Sequence, residues 1–491
     1  MKSRSHIGPL LASALIAGAL AGCNAPTVDR AAELQRFQDT IRQRTAALDL
    51  PPGAVLSSRT CEEAALTNNL DLAVRRLTLR LQDDQVRLAL STGLPHASTA
   101  YSFSRRSNSS AADFGGMEFE MQDRTQQGYA LSATVPVLDF GLTYYAWQIA
   151  RDQRTQQRLL LDRAQQELRR DVRVAYVRHA GALRQAKLAQ INVLAAQQVL
   201  KVGQTMEREA MATHAEVAIL LAAMAQTQVD LTIAQRKIVE TRLELMRLMA
   251  LPPDLAILID DTLPALPDPP EGELLAGLEE HALLVRPELK VQDLQRHISA
   301  NNVRREFAGF FPRLDANGSF NWSSASTAVN PAFFLYGFTV ADSLLDGGSQ
   351  LWRYGLAKKT RTVEEERTLL MSLAVLYDVD LRALQLQRDR QTINALKVTE
   401  DARQKAFDEI LSLYRAGLET EAGTAKALAD LNIQSLGVDR AQTEYLATWY
   451  EFQTATLADQ PVNVPATAPA KTPAAPAQPP AATPLEKGKQ P

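Results

Sequence analysis

The sequence is poor in cysteine, in aromatic residues and in net charge. Of 491 residues only Cys23 and Cys61 are cysteine. A disulfide framework is excluded, because Cys23 has another use and Cys61 then lacks a partner within the chain. Aromatics make up 6%, and 53 basic residues face 56 acidic ones for a net charge of -3. That balance leaves no basic patch of the size nucleic acid requires, so no nucleic-acid partner is expected. No Gly-rich phosphate loop of Walker or Rossmann type occurs, and no His-x-x-x-His metal pair, the six histidines being scattered. No catalytic, cofactor-binding or metal site is therefore expected, and the chain does not read as an enzyme. Met206, Met211, Met224, Met246 and Met249 lie in helical stretches and read as core filling rather than a metal relay.

Proline is absent from Thr143 to Ala212, where Gly181 and Gly203 are the only glycines. At 1.5 Å per residue such a helix reaches roughly 100 Å. A bilayer's hydrocarbon is about 30 Å thick, and Arg151, Asp152, Arg154, Asp162, Arg163, Glu167, Arg169, Arg170 and Asp171 surround the helix with charge. It therefore projects into water. Val172, Tyr176, Leu183, Leu188, Ile191, Leu194 and Val199 supply a seam for packing on neighbouring helices.

What is present begins at the N-terminus. Lys2 and Arg4 precede an apolar run, Ile7 to Leu20, too short to span a bilayer comfortably, followed by Leu20-Ala21-Gly22-Cys23. This is signal-peptide architecture over residues 1–22. The small residues before Cys23 resemble a bacterial lipobox, which makes Cys23 the lipidated first residue of the mature chain. Asn24 follows, where an Asp favours inner-membrane retention in Gram-negative lipoproteins, so export to the outer membrane is expected. The covalent N-acyl diglyceride on Cys23 is the one non-protein group expected.

The chain repeats itself. Leu138-Asp139-Phe140-Gly141 lines up with Leu345-Asp346-Gly347-Gly348 at an offset of 207, as do Asp171-Val172 with Asp378-Val379 and Arg208 with Arg415. Upstream the offset is 217: Leu66 with Leu283, Leu72 with Leu289, Val74 with Val291, Pro95 with Pro312. A tandem duplication follows, with about ten extra residues between the paired strands of the first copy. The expected division is a tether and short helix over 23–58, one repeat over 59–250, an equatorial linker over 251–272, a second repeat over 273–460, and a disordered Pro/Ala-rich tail over 461–491.

Each repeat reads helix, strand pair, long helix, returning helix. Thr60 with Glu63 offers a capping box for one helix running to about Ser91, with an apolar seam at Leu66, Leu70, Val74, Leu77, Leu81 and Leu88. Strands are expected at about 97–105 and 128–138, with a polar loop between them, and at about 313–323 and 333–344. Tyr101, Phe103, Tyr129, Leu131, Ala133, Val135 and Val137 alternate with small polar residues, as do Trp322, Tyr336, Phe338 and Val340. That is the pattern of a barrel wall with lipid outside and water inside. Asp139 and Gly141, and Asp346 and Gly348 in the second copy, are expected to redirect the chain from strand to helix. Four strands per chain cannot close a barrel, and lipid does not tolerate an open edge. Two copies give eight strands and three give twelve, and only the larger barrel leaves an open bore.

The lipobox, the duplicated layout, the turns at Asp139–Gly141 and Asp346–Gly348, and Tyr414-Arg415-Ala416-Gly417 at the second helical tip resemble the TolC-like outer membrane factor family, closest to its lipidated OprM/CusC-like members. The resemblance covers about residues 55–460. It implies a mainly α fold with a membrane β-barrel: a homotrimer whose twelve-stranded barrel continues into an α-helical periplasmic tunnel. It implies contact with outer membrane lipid, a periplasmic adaptor and an inner-membrane transporter, and service as the exit duct of a tripartite efflux system. A type I protein or polysaccharide secretion duct uses the same fold, and a non-transporting coiled-coil lipoprotein is the remaining alternative. Family members often carry Asp-x-x-Asp past the second tip, where this chain has Gly423 and Lys426. Glu419 and Glu421, with His214 and Glu216 at the first tip, are candidates for a gate. Arg208 and Arg415 are candidates for pairing with tip carboxylates or for contacting an adaptor.

Overall fold

The computed structural model describes residues 29–47, 55–107, 110–115, 117–255, 257–326, 328–341 and 347–458. Cys23, Asp346 and the Pro/Ala-rich tail lie outside these residues. A short helix α1 (Arg30–Ala47) and strand β1 (Val55–Leu56) precede the repeats. The first repeat comprises α2 (Ser58–Asn68), α3 (Leu70–Ser91), β2 (His96–Arg105), β3 (Ser110–Phe114), β4 (Met117–Gln122), β5 (Thr125–Leu138), α4 (Leu142–Arg208) and α5 (His214–Met249). After β6 (Leu258–Ile259) the second comprises α6 (Gly272–Val285), α7 (Pro287–Ala308), β7 (Arg313–Ser323), β8 (Ala332–Ala341), α8 (Gly347–Arg415) and α9 (Glu421–Thr456).

The helix predicted from Thr60 to Ser91 is two helices. Ser57, not Thr60, caps α2: its hydroxyl accepts from the Thr60 amide at 3.2 Å. Glu63 pairs with Arg59 at 3.0 Å instead of closing a capping box. The break falls at Asn69 (φ -57, ψ 127), whose side chain accepts from Leu72 N at 3.1 Å and so caps α3. The second repeat breaks at Arg286 with nearly the same backbone (φ -56, ψ 129), and Pro287 opens α7. Proline suits that first helical position because its missing N–H has no helical acceptor there. The polar loop predicted between the first strand pair contains a hairpin of its own, β3–β4, and this is the extra length that separates the two offsets.

Strands β2, β5, β7 and β8 form one antiparallel sheet in the order β2-β5-β7-β8, and among the described residues β2 and β8 are its free edges. The two hairpins meet at β5–β7, where Tyr129 faces Trp322 and Leu131 faces Phe320. The long helices have 67 and 69 residues and the returning helices 36 each. Buried side chains gather where helices cross the middle of the rod. One cluster joins Cys61, Leu72, Leu168, Val172, Leu245, Met246 and Met249, and the other joins Val375, Val379, Leu386, Ile393, Tyr445 and Phe452. Val172 and Val379, equivalent under the repeat, are both fully buried. Gly181 lets α4 approach α9 closely, since a Cβ there would lie 2.5 Å from Thr443 Oγ1.

Packing differs between the repeats. Helix α7 packs against both long helices, and so does α9. Their counterparts α3 and α5 pack along α4 and have no comparable contact with α8. The predicted α3 seam is correspondingly exposed at Leu70, Val74, Leu77, Leu81 and Leu88. Leu351, Trp352, Leu356, Leu369, Leu370 and Leu381 of α8 are exposed as well.

Candidate functional site: a membrane-facing sheet continuous with helical tips

The sheet is inside out by the standards of a protein in water. Along β5 the apolar positions Tyr129, Leu131, Ala133, Val135 and Val137 are exposed, while the intervening small and polar ones are half-buried. Tyr101, Phe103, Tyr336 and Phe338 continue this exposed apolar face, with Tyr336 reaching 87%. The opposite face carries hydrogen bonds across all four strands. Ser98 and Ser132 hydroxyls lie 2.8 Å apart, Thr134 donates to Asn317 Oδ1 at 3.0 Å, and Asn317 donates to Thr339 Oγ1 at 2.6 Å. Apolar outside and hydroxyl-lined inside is the arrangement a lipid-embedded barrel wall requires.

At the strand-to-helix junction Asp139 organises the turn. Its Oδ1 accepts from Gly141 N at 3.0 Å and its Oδ2 from Thr143 N at 2.9 Å. These amides sit at the start of α4 and have no helical acceptor. Phe140 and Gly141 both take left-handed backbone (φ 52 and 91). Gly141 adopts that region at no Cβ cost. Phe140 is held there with its ring stacked on Phe311, centroids 4.8 Å apart. In the second copy Gly348 lies inside the first turn of α8, not before it, because the helix already starts at Gly347. Asp346 lies outside the described residues.

At the other end of the rod the tip residues are used locally. Arg208 ends α4 and donates to Gln204 O at 3.3 Å and Thr205 Oγ1 at 3.2 Å, so it caps its own helix rather than a carboxylate. A cation there also suits the helix dipole. Arg415 is exposed at the end of α8. His214 Nδ1 is bonded to Glu207 across the first tip. Glu216 and Thr213 form a capping box, Thr213 N donating to Glu216 Oε2 at 2.7 Å and Glu216 N to Thr213 Oγ1 at 3.3 Å. Thr213 N and Thr213 Oγ1, the latter at 2.9 Å, both donate to the Glu216 carboxylate and hold its carboxyl below the usual range. Glu419 Oε1 accepts from Thr420 N at 2.8 Å. Thr420 in turn caps α9 by accepting from Gly423 N at 3.0 Å. Gly423 leaves room for the folded Glu419 side chain, since a Cβ there would meet the carboxylate at 2.3 Å. Glu421 opens α9, and its side chain is outside the described part of the structure.

One buried group between the helical tips and the sheet, His179, was not singled out by sequence reasoning. His179 is 3% exposed and its Nδ1 lies 3.0 Å from Thr241 Oγ1. Thr241 already donates to Lys237 O at 2.8 Å, so the His179 Nδ1–H is the donor. Burial, helped by the Arg242 charge, pushes the His179 pKa down to about 4. A lone histidine on a helix carries no periodic signal that would have marked it. Cys61 is fully buried, and burial pushes its thiol up to about 12, which makes it unreactive. Among the described residues no group of three or more His, Cys, Asp or Glu side chains is placed to hold a metal ion.

A sheet with its apolar face outward, joined to helices of about 100 Å, defines the class of outer membrane channels. The outer membrane efflux protein family model matches residues 63–251 and 278–456, and the chain belongs to that family. Solved structures agree in fold. CusC superposes with a TM-score of 0.70 at 14% identity, over 83% of this chain and 95% of that one. The Campylobacter jejuni CmeC outer membrane channel gives 0.69 at 12% identity, over 83% and 89%. The Vibrio cholerae outer membrane protein VceC gives 0.68 at 14% identity, over 81% and 95%. No curated protein matches the sequence significantly.

Proposed function

We propose that three copies of this chain close into a twelve-stranded barrel in the outer membrane, continuous with a periplasmic helical tunnel. The assembly is the exit duct of a tripartite efflux system and conducts small molecules passively. The observation that carries this reading is the sheet: its apolar face is outward, its polar face is hydrogen-bonded, and both of its edges are free. A free edge is unstable in lipid until another strand pairs with it. The helices support the same closure. Within the chain α7 and α9 each bridge two long helices, whereas α3 and α5 lack their second partner and α8 presents an unpartnered apolar face. Setting the α8 of one copy against the α3 and α5 of the next repeats the internal packing and leaves no end.

This also accounts for α5, which is long and apolar enough to cross a membrane. It runs beside the charged α4 and is tied to it through His179–Thr241, so its apolar surface is an unfilled helix contact. The exposed tips, with Met211, Leu418 and Arg415, are the surface offered to a periplasmic adaptor and, through it, to an inner-membrane transporter. Glu419 and Glu421 supply negative charge at the second tip, and the chain performs transport without catalysis.

The purified protein in planar bilayers should form long-lived conducting channels. An absence of conductance from correctly folded protein would refute the duct. Lipidation at Cys23 is part of the proposal: Cys23→Ser should abolish incorporation of labelled palmitate, and retained label would exclude Cys23 as the acylated residue.

A further inference from the structure

Midway along the rod, seven charged side chains form one chain of alternating sign. Arg163 of α4 contacts Glu167 at 3.0 Å and Glu288 of α7 at 2.8 Å. Glu288 lies 3.4 Å from Arg286, and Arg286 donates to Asp378 of α8 at 3.1 Å. Arg382 donates to Asp378 at 2.9 Å and contacts Glu451 of α9. Arg286 is the central link and is only 6% exposed. Ion pairs at such a site give little net stability against apolar replacements, but pulling the helices apart would leave the buried Arg286 charge unpaired, which is costly.

The first repeat lacks this device. The residue equivalent to Arg286 is Asn69, which has the same backbone conformation but caps α3 and donates to Leu248 O at 3.1 Å. The residue equivalent to Arg382 is Ala175. The first-repeat counterparts of Asp378 and Glu451 pair locally instead, Asp171 with Arg170 at 2.8 Å and Glu244 with Arg247 at 2.7 Å, and a cleft of about 330 Å³ lies between them and the Arg382–Glu451 pair. The two copies thus share a backbone and differ in how the helix break is tied down.

We propose that Arg286 is a positioning residue that locks the second long helix, α8, to α4 and α7, and thereby sets the bore at the helical tips. The inference rests on the duct reading. From Asp378 to the tip α8 spans roughly 55 Å at 1.5 Å per residue. A tilt of about 5° at the clamp therefore moves Arg415 by about 5 Å, on that same geometry. Replacing Arg286 by methionine cuts the chain into Glu167–Arg163–Glu288 and Asp378–Arg382–Glu451. Every carboxylate keeps an arginine, so the coupling is lost without leaving an unpaired buried acid.

The test is Arg286→Met in the full-length lipidated protein, read by hydrogen exchange and planar-bilayer conductance, with Asn69→Met as the first-repeat counterpart and Arg286→Lys as the conservative rescue. Arg286→Met should speed amide exchange in α8 around Asp378 at least tenfold and raise conductance severalfold. Lysine should restore most of both, and Asn69→Met should leave α8 exchange unchanged. Unchanged α8 exchange in Arg286→Met, or equal acceleration in both repeats, would overturn the clamp. Faster α8 exchange with unchanged conductance would overturn its control of the bore. A protein that shows the exchange effect yet conducts in no variant would instead count against the duct.

Discussion

Leu131→Arg should destabilise the membrane-inserted protein by about 2–4 kcal/mol, the cost of a cation on the lipid face of a barrel near the midplane. Ser132→Arg, one residue along, should cost far less. Leu131 lies in the middle of β5 on the exposed apolar face, opposite Phe320. Ser132 points the other way, beside Ser98. Because successive strand residues alternate faces, the pair separates a lipid-facing wall from a soluble hairpin more sharply than either variant alone. Folding yield into lipid vesicles and urea unfolding from them report the difference. Equal tolerance of both variants would mean that neither face meets lipid.

The second large effect is on acid sensitivity. His179 has a folded pKa of about 4 against an ordinary 6.5. Between these values the unfolded chain binds a proton that the folded chain refuses, so stability falls as pH is lowered through this window. At 1.36 kcal/mol per pKa unit the loss approaches about 3 kcal/mol by pH 4. Thermal melting of the helical signal from pH 7 to pH 4 should show this slope, and His179→Gln should flatten it. Asp378 acts lower on the scale. Burial opposes its charge, but Arg382 and Arg286 outweigh that and hold its carboxyl below the usual range. Its contribution persists above that range and is lost only as pH falls through the depressed value, which distinguishes it from the histidine effect. A variant with the wild-type slope would remove His179 as the cause.

Much of the architecture was legible in the sequence because it is written twice. The offsets of 217 and 207 carry α3 onto α7, β2 onto β7, and α5 onto α9. The alternation that marked Tyr129 to Val137 as one face of a strand is the alternation of exposure along β5. The break at Asn69 was not legible, because the seam through Leu66, Leu70 and Val74 keeps its helical spacing across it. The non-helical backbone of Asn69 is what divides the two helices there.

Glu216, Glu419 and Arg208 carry charge at the expected places, but short-range bonds to Thr213, Thr420 and Thr205 already engage them. Sequence gives the charge of such residues and not the competing backbone amides that claim it. The clamp through Arg286 was invisible for a different reason. Its members come from four helices and from the break between α6 and α7, and they lie far apart in the chain, so no local pattern joins them.

The most direct measurement of the central claim is the mass of the purified, folded protein in detergent by light scattering, with the detergent contribution subtracted. Closure of four strands per chain into one barrel predicts three times the mass of the mature chain, with no monomer at working concentration. A stable folded monomer, with β2 and β8 still unpaired, would contradict it.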